Sequence, residues 1–406
     1  MIIRQAVGGD AEQIASLLSK SFLEDTSVIR VSIENNPRYS LSDMYVAEDR
    51  SIGSGVLGCL RITPFQVYSL GARMPMAGIA AVAVQPESRR KGIAEVLMHD
   101  ALRRMYELDY PVSMLFPFKH KFYKKYGYAQ IGNNILYEFS PNNVLPFPER
   151  SRVRPFVKSD KGKVKKVLQN VVESQGRFTP LRNDNFWELV VVPKFKDAYV
   201  YDDGEVRGYI AYELYKDAAS EPVINIKELV GTDAAVHRGL WGFVGALGDQ
   251  ITKLKYLAPS DYPLHLFVKE PREYSYDRLF FEYKSFGTIA SGFMLRVINI
   301  PDALRRVRTN IRSLEDTTLK VNDGNLPQNS RTFNVCVHEG ETEVEETKEP
   351  ARFETDIATF SQIYSGFLKA TTAIRYGFAS GSIETGNRLN ELFEGPSPFI
   401  YQFDIF

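Results

Sequence analysis

Val82-Ala83-Val84-Gln85-Pro86-Glu87-Ser88-Arg89-Arg90-Lys91-Gly92-Ile93-Ala94-Glu95 joins the end of an apolar strand to the start of an amphipathic helix through a basic, glycine-containing turn. Residues 77–84 ahead of it are small and apolar. Behind it Ile93, Leu97, Ala101, Met105 and Leu108 recur at helical spacing, and Pro86 suits the approach to a helix. Such a turn is chemically an anion site. The first N–H groups of a helix have no partner within it and sit at the positive end of its dipole. Gly92 admits close approach to the backbone, and Arg89, Arg90 and Lys91 add cationic donors. By charge alone the same run reads more simply as a solvated surface turn.

Outward from this stretch, the chain repeats itself. Residues 2–7 read as a strand, and Asp10 with Gln13 forms a capping box before the helical face Ile14, Leu17, Leu18 and Phe22. Residues 152–156 repeat the strand, Ser159 the cap, and Val164, Val167, Leu168, Val171 and Val172 the helix. A hairpin-like segment follows each, 45–67 in the first copy and 198–215 around Asp203-Gly204 in the second. A strand and a helix come next: 77–84 with the Ile93 helix, then 223–230 with a helix carrying Leu240, Val244 and Leu247. The proline-rich 140–148 reads as a linker. A third region begins near Phe293, with strands around 318–321 and 332–337, helices over 357–367 and 386–393, and a strand-like end. Its glutamate-rich 339–349 reads as a solvated turn. The predicted fold class is α+β, with domains at 1–150, 151–290 and 291–406.

A chain of 406 residues exceeds what one hydrophobic core supports. With 44% hydrophobic and 25% charged residues it is neither collagenous nor wholly disordered. Its 50 basic residues cancel its 50 acidic ones, which argues against a nucleic-acid partner. Cys59 and Cys336 lie far apart, outside any C-x-x-C spacing, so a reducing, cytoplasmic setting is expected. No apolar run approaches the ~20 residues that span a bilayer, and no signal-peptide core opens the chain, so no membrane partner is expected. His99, His120, His237, His265 and His338 show no metal-ligand spacing, and no metal is expected.

Arg89-x-x-Gly92-x-Ala94 after Ala81-Val82-Ala83-Val84 resembles the acetyl-CoA signature of the Gcn5-related N-acetyltransferase (GNAT) superfamily. The resemblance implies acetyl-CoA as cosubstrate. Val82, Ala83 and Val84 would lie along its pantetheine arm, and Arg89, Arg90, Lys91, Gly92, Ile93, Ala94 and Glu95 around its pyrophosphate. Phe116-Pro117-Phe118-Lys119-His120-Lys121-Phe122-Tyr123-Lys124-Lys125-Tyr126-Gly127-Tyr128-Ala129 resembles a second segment of the superfamily, F-Y-x-[KR]-x-G-[FY]. It implies Tyr123 as general acid, since a phenol with an ordinary pKa of about 10 can protonate a departing thiolate within hydrogen-bond reach. Tyr126 and Tyr128 are rivals, and Phe118 and Lys119 are assigned to the cosubstrate. The matching stretch of the second copy lacks the Arg-x-x-Gly-x-Ala pattern. It places Asp233 at the helix start, where a carboxylate would repel a pyrophosphate, so only the first copy is expected to bind CoA.

The whole chain resembles the enhanced intracellular survival protein family, two GNAT-like copies followed by a sterol carrier protein type α+β domain. Met294-Leu295-Arg296-Val297, Pro301-Asp302-Ala303-Leu304 and the terminal Pro398-Phe399-Ile400-Tyr401-Gln402-Phe403-Asp404-Ile405-Phe406 support it. The resemblance implies N-acetylation of primary amines on a small polycationic, aminoglycoside-like acceptor, and a homo-oligomer, a hexamer. It also implies that the C-terminus enters the active site, where the terminal carboxylate of Phe406 acts as general base. Such a carboxylate, with an ordinary pKa of about 3.3, is ionised at pH 7. Glu24, Asp25 and Asp404 are candidate carboxylates of an acidic acceptor mouth. Trp187 and Trp241 either wall the pocket or pack a core. Two other readings stay open: an acyltransferase acting on peptide or protein amines, and a lipid-binding module of sterol carrier type.

Overall fold

A computed structural model describes residues 1–49, 55–271 and 285–406. The turn of the first predicted hairpin, 50–54, lies outside the described residues. The chain forms two compact units, each discontinuous in sequence. One comprises residues 1–131, 293–395 and 406; the other comprises residues 132–292 and 396–405.

The sheet of the first unit runs, in order, Ile2–Gln5, Met44–Glu48, Val56–Ser69, Ala72–Val84, Val112–Leu115, Met294–Val297 and Ala129–Gln130. Its strands are antiparallel except where Ala72–Val84 meets Val112–Leu115, the pair joined by the crossover helix Ile93–Glu107. That helix buries Ile93, Leu97, Ala101 and Met105 of the face read from the sequence against one side of the sheet, while Leu108, expected on the same face, caps the helix end and is exposed. The helix Ala11–Phe22 buries Ile14, Leu17 and Leu18 in a separate cluster with Val46, Cys59 and Ala83. A helix over Thr26–Asn35, not anticipated from the sequence, follows it.

The sheet of the second unit runs Thr288–Ser291, Asn133–Phe139, Lys253–Pro259, Pro222–Gly231, Val206–Lys216, Asp197–Asp202 and Val153–Pro155, again with one parallel pair. Its helix Lys161–Gln175 buries the predicted face, Ala234–Gly245 buries Leu240 and Val244 but ends before the expected Leu247, and its core gathers around the fully buried Trp241.

The expected boundary at 150 is displaced, while the one at 290 falls close to the break at 292 but opens onto a strand of the first unit rather than a separate domain. Met294–Val297, read as the opening of the third region, pairs with Val112–Leu115 and with Ala129–Gln130 in the first sheet. Asn133–Phe139, read as the close of the first copy, pairs along its length with Lys253–Pro259 in the second. The first unit therefore ends near 131 rather than 150. The expected linker 140–148 belongs to the second unit and makes a bridge from Val144 to Val268.

Neither predicted helix cap forms. Asp10 accepts from the Val7 N–H at 2.8 Å and from Arg4 at 2.6 and 2.9 Å, while Gln13 accepts from the Val56 N–H at 2.9 Å. In the second unit Asp160, not Ser159, stands at the junction, accepting from the Val157 N–H at 3.1 Å and from Arg154 at 2.6 and 3.0 Å. A charged partner on the preceding strand outcompetes a helix N–H for the carboxylate. Each arginine also reaches a second acid, Glu48 in one unit and Asp202 in the other.

Residues 300–395 add a second sheet to the first unit, ordered Glu341–Thr347, Thr332–His338, Ser313–Asn322, Phe353–Asp356 and Ala379–Gly381. The glutamate-rich segment is an edge strand, not a turn: Thr342 and Val344 point inward while Glu341, Glu343 and Glu345 face solvent. The Arg296 guanidinium, fully buried, donates to both oxygens of the equally buried Asp323 at 3.0 and 2.9 Å. The terminal run is not a strand. It makes a 3-10 turn over Gln402–Asp404.

Candidate active site

The strands Ala72–Val84 and Val112–Leu115 pair only as far as Ile79 opposite Leu115. Beyond that point Val112–Leu115 ends, and residues 80–84 lose their partner on that side. On the other side the register slips: Cys59 faces Ala83, but Arg61 faces Ala80, so Ala81 and Val82 together oppose Leu60. This bulge holds Ala81 at φ 52°, and the buried Cys59 thiol donates to the Ala81 carbonyl at 3.5 Å. Burial pushes that thiol up to about 12, so it stays protonated. A splayed, bulged strand end presents backbone donors and acceptors that no neighbouring strand uses.

The turn after this strand fits a phosphate. Arg90 and Gly92 take positive φ angles of 63° and 80°, and a Cβ at Gly92 would meet nothing within 4 Å. Gly92 caps the Ile93–Glu107 helix without a side-chain hydrogen bond, which leaves the first N–H groups open. Arg89, Arg90 and Lys91 are exposed, with no acidic partner among the described residues. Ile93 is buried and Ala94 half-buried, so these two offer a phosphate their backbone alone. Glu95 is exposed, 4.0 Å from His99.

In the second unit the equivalent place is filled. Asp233 caps the Ala234–Gly245 helix, accepting from the N–H groups of Ala235 and Val236 at 3.0 and 3.2 Å, and pairs with Arg207 at 2.5 Å. The donors that a pyrophosphate would take are occupied by a carboxylate.

Beside the bulge a cavity of about 490 Å³ opens in the first unit, bounded by Ala80, Ala81 and Val82 of the strand, Tyr123, and Phe406. Tyr123 is buried, and Phe118 and Phe122 meet its ring edge-on at 5.5 and 5.0 Å. Burial raises its phenol, chiefly by desolvation, so it remains a proton donor at neutral pH. Its rivals do not line this cavity. Tyr128 shares a 2.6 Å hydrogen bond with Ser113, and Tyr126 packs in the core. The Phe406 ring packs at a tilt against Phe65 at 4.6 Å and Phe293 at 5.3 Å, over Gly78, where an added Cβ would lie 2.8 Å from it.

Phe118, assigned to the cosubstrate, forms a wall of this cavity next to Tyr123. Lys119 is exposed at the start of the short helix His120–Lys124. Glu24 and Asp25 are exposed and do not line the cavity; Asp25 caps the Thr26–Asn35 helix by accepting from the Ser27 N–H at 2.7 Å. Asp404 is no mouth residue. It is fully buried in the second unit, where Arg182 donates to it at 2.8 Å and also to Glu228, itself bonded by the Tyr209 hydroxyl at 2.8 Å. Burying a carboxylate required that partner. Trp187 and Trp241 are both core residues, the first under the Arg182 guanidinium at 4.9 Å, the second donating to the Tyr262 hydroxyl at 2.7 Å.

Arg61 was missed. Among the described residues lining the cavity it is the only one with a charged side chain. Its Nε donates to the Thr63 hydroxyl at 2.9 Å and its guanidinium lies 3.6 Å from the centre of the Tyr39 ring. No ion pair joins it to a carboxylate among the described residues. Burial lowers its pKa from the ordinary arginine value, with Tyr39 opposing that shift. The sequence signal was an arginine between apolar residues on a strand whose same-side neighbours, Cys59, Thr63 and Phe65, point away from water.

Two further features lie outside this cavity. A cavity of about 440 Å³ in the second unit is walled by Leu229, Tyr256, Tyr262, Phe267 and Tyr401. Cys336, His338 and Glu343 come within 4.8 Å of one another, because strand pairing sets Cys336 opposite Glu343. Linear spacing did not reveal this trio.

Residues 2–131 match an acetyltransferase (GNAT) domain family, residues 180–297 a second such family, and residues 300–401 a sterol carrier protein domain. Over 320 residues the chain is 23% identical to the N-acetyltransferase Eis of Mycobacterium tuberculosis, a span covering 74% of this chain and 73% of that one. Similar solved structures include a GCN5-related N-acetyltransferase from Anabaena variabilis (22% identity, TM-score 0.85, all of both chains). Eis1 from Mycobacterium abscessus is another (19%, TM-score 0.79, all of both chains). A probable N-acyltransferase from Enterococcus faecalis aligns over 100% of this chain and 99% of its own (20%, TM-score 0.82).

Proposed function

Because the chain belongs to the Eis family of GNAT N-acetyltransferases, we propose that its first copy moves the acetyl group of acetyl-CoA onto a primary amine held in the cavity beside Tyr123. The observation that carries this reading is the convergence, around one cavity, of the bulged strand end, the buried Tyr123 phenol and Phe406. Acetyl-CoA supplies an activated acyl carbon and a thiolate leaving group.

The residues divide the work. N–H groups at the helix start, with Arg89, Arg90 and Lys91, hold the pyrophosphate, and the unpaired edge of Val82, Ala83 and Val84 holds the pantetheine. Backbone donors at the bulge face the thioester oxygen as it gains charge. The acceptor nitrogen attacks the carbonyl carbon, its lone pair forming the C–N bond while the C–S pair leaves with sulfur. Tyr123 gives its proton to that sulfur. The terminal carboxylate of Phe406 takes the proton lost by the nitrogen, and solvent returns it to the Tyr123 oxygen. The products are an amide and free CoA, with neither oxidation nor reduction.

The family resemblance extends the acceptor to polycationic, aminoglycoside-like amines and the assembly to a hexamer in the cytoplasm. The second copy serves as scaffold, its phosphate position taken by Asp233. A lipid-carrier role has less support: the cavity beside Ile363 and Leu389 in the third region holds about 210 Å³, below the roughly 300 Å³ at which small-molecule pockets begin.

Appending glycines after Phe406 tests the base. The extended protein should bind acetyl-CoA normally and lose about a hundredfold or more in kcat, within the range general bases contribute. Unchanged turnover in a normally folded protein would eliminate the terminal carboxylate.

A further inference from the structure

We propose that Cys336, His338 and Glu343 form a binding site for a zinc-type divalent cation, which ties the edge strand Glu341–Thr347 to its neighbour Thr332–His338. The site shares no residue with the reaction cavity and is independent of the acetyl-transfer reading.

Three strands bring it together. Along Thr332–His338 the side chains alternate, so that Val335 and Val337 are buried while Cys336 and His338 share the solvent-facing side. Pairing sets Glu343 opposite Cys336, with its Oε2 4.0 Å from the Sγ. On the other flank of Cys336 the register slips. Leu314 faces Val337 and Thr317 faces Val335, so Glu315 and Asp316 together oppose Cys336, and this bulge brings Asp316 to the thiol.

The donor set selects the ion. A thiolate, an imidazole and a carboxylate suit zinc, whereas magnesium and calcium take oxygen ligands. Bonds of about 2.3 Å to sulfur and about 2.0 Å to oxygen at a tetrahedral angle set those two atoms roughly 3.5 Å apart. The 4.0 Å found here closes with a small rotation of Glu343, and all three ligand atoms already lie within 4.8 Å of one another. Three protein ligands leave the fourth position to water. Asn334, the next residue on that side of the strand, has a buried side-chain oxygen with no hydrogen-bond partner among the described residues, an acceptor that such a water would satisfy.

Charge points the same way. Neighbouring glutamates are neutralised: Glu315 by Arg388, Glu341 by Arg308 and Glu346 by Arg331, at 2.7, 3.6 and 2.5 Å. Asp316, Glu343 and Glu345, whose charges act on the Cys336 thiol, have no basic partner among the described residues. A divalent cation compensates them. Glu341–Thr347 is outermost in its sheet and paired on one side only, so an ion shared with the next strand would fasten it.

The test is calorimetric titration of the chelator-treated, full-length protein with zinc chloride, which should show one ion bound per chain. Cys336→Ser and His338→Gln should each weaken binding by about a hundredfold or more, beyond the tenfold to hundredfold that an outer partner of a metal site is worth. Cobalt(II) in place of zinc should give a thiolate charge-transfer band that Cys336→Ser removes. Amide exchange across residues 332–347 should slow when zinc is added to the native protein and stay unchanged in Cys336→Ser. These side chains face solvent, and circular dichroism reports that each variant is folded. No stoichiometric zinc binding by the folded native protein, binding that survives both substitutions, equal competition from magnesium, or zinc binding that leaves exchange unchanged would overturn the inference.

Discussion

Gly78 shows how closely single residues shape the reaction cavity. An alanine methyl there would lie 2.6 Å from the Phe65 ring and 2.8 Å from that of Phe406, so one ring must move. Gly78→Ala should therefore lower kcat about tenfold or more, as misplacing a catalytic group does, while leaving acetyl-CoA affinity unchanged. Steady-state kinetics beside calorimetry would check this, and unchanged kcat would mean that the position of Phe406 is not critical. At this scale the sequence was informative where chemistry follows from a motif. Tyr123 and the Arg89 to Ala94 turn were singled out through motifs that resemble the acetyltransferase superfamily, and they lie at a cavity wall and at an open helix start. The roles of Arg61 and Asp404 were not legible, because they depend on what pairs across strands or reaches them through the core: Tyr39 for one, Arg182 for the other.

At the scale of elements, the repeat was visible as strand, turn and helix, but the ion pair it shares between copies was not. Arg4 with Asp10, and Arg154 with Asp160, tie each opening strand to the helix that follows, at equal spacing in the two copies. Capping propensity assigned Asp10 to a helix N–H and named Ser159 rather than Asp160 in the second copy, whereas in each copy the acid at the junction pairs with a guanidinium. Hydrogen bonds from these arginines hold the Asp10 and Asp160 carboxyls below the usual carboxylate range. The folded protein thus binds fewer protons than the unfolded chain, so this stabilisation is present above about pH 4 and lost as pH falls through the lowered pKa values. Asp160→Asn should cost about 1.5–3 kcal/mol near neutrality and flatten the acid limb of a denaturation series. An unchanged limb would remove this pair from the account. Helix faces were read well because burial repeats every turn. The Thr26–Asn35 helix, with Ile33 as its only buried side chain, offered no such pattern.

For the whole molecule, domain boundaries were the least legible feature, because strand membership is decided by pairing rather than by order along the chain. Met294–Val297 lies between Val112–Leu115 and Ala129–Gln130 in the first sheet. A protein ending at residue 290 should therefore lose the fold of its first unit, not merely an appended domain, which circular dichroism and amide exchange would show as lost protection across residues 112–130. Protection at the native level would mean that the strand is dispensable. The central claim is that the first copy is an amine acetyltransferase acting through Tyr123, and amine-dependent thiol release from acetyl-CoA by the native protein and by Tyr123→Phe tests it most directly. The native protein should release thiol in step with acetylated amine, and the variant should bind acetyl-CoA normally but turn over about a hundredfold or more slower, as loss of a general acid predicts. Equal rates in the two proteins, or no amine-dependent release by a native protein that binds acetyl-CoA, would contradict it.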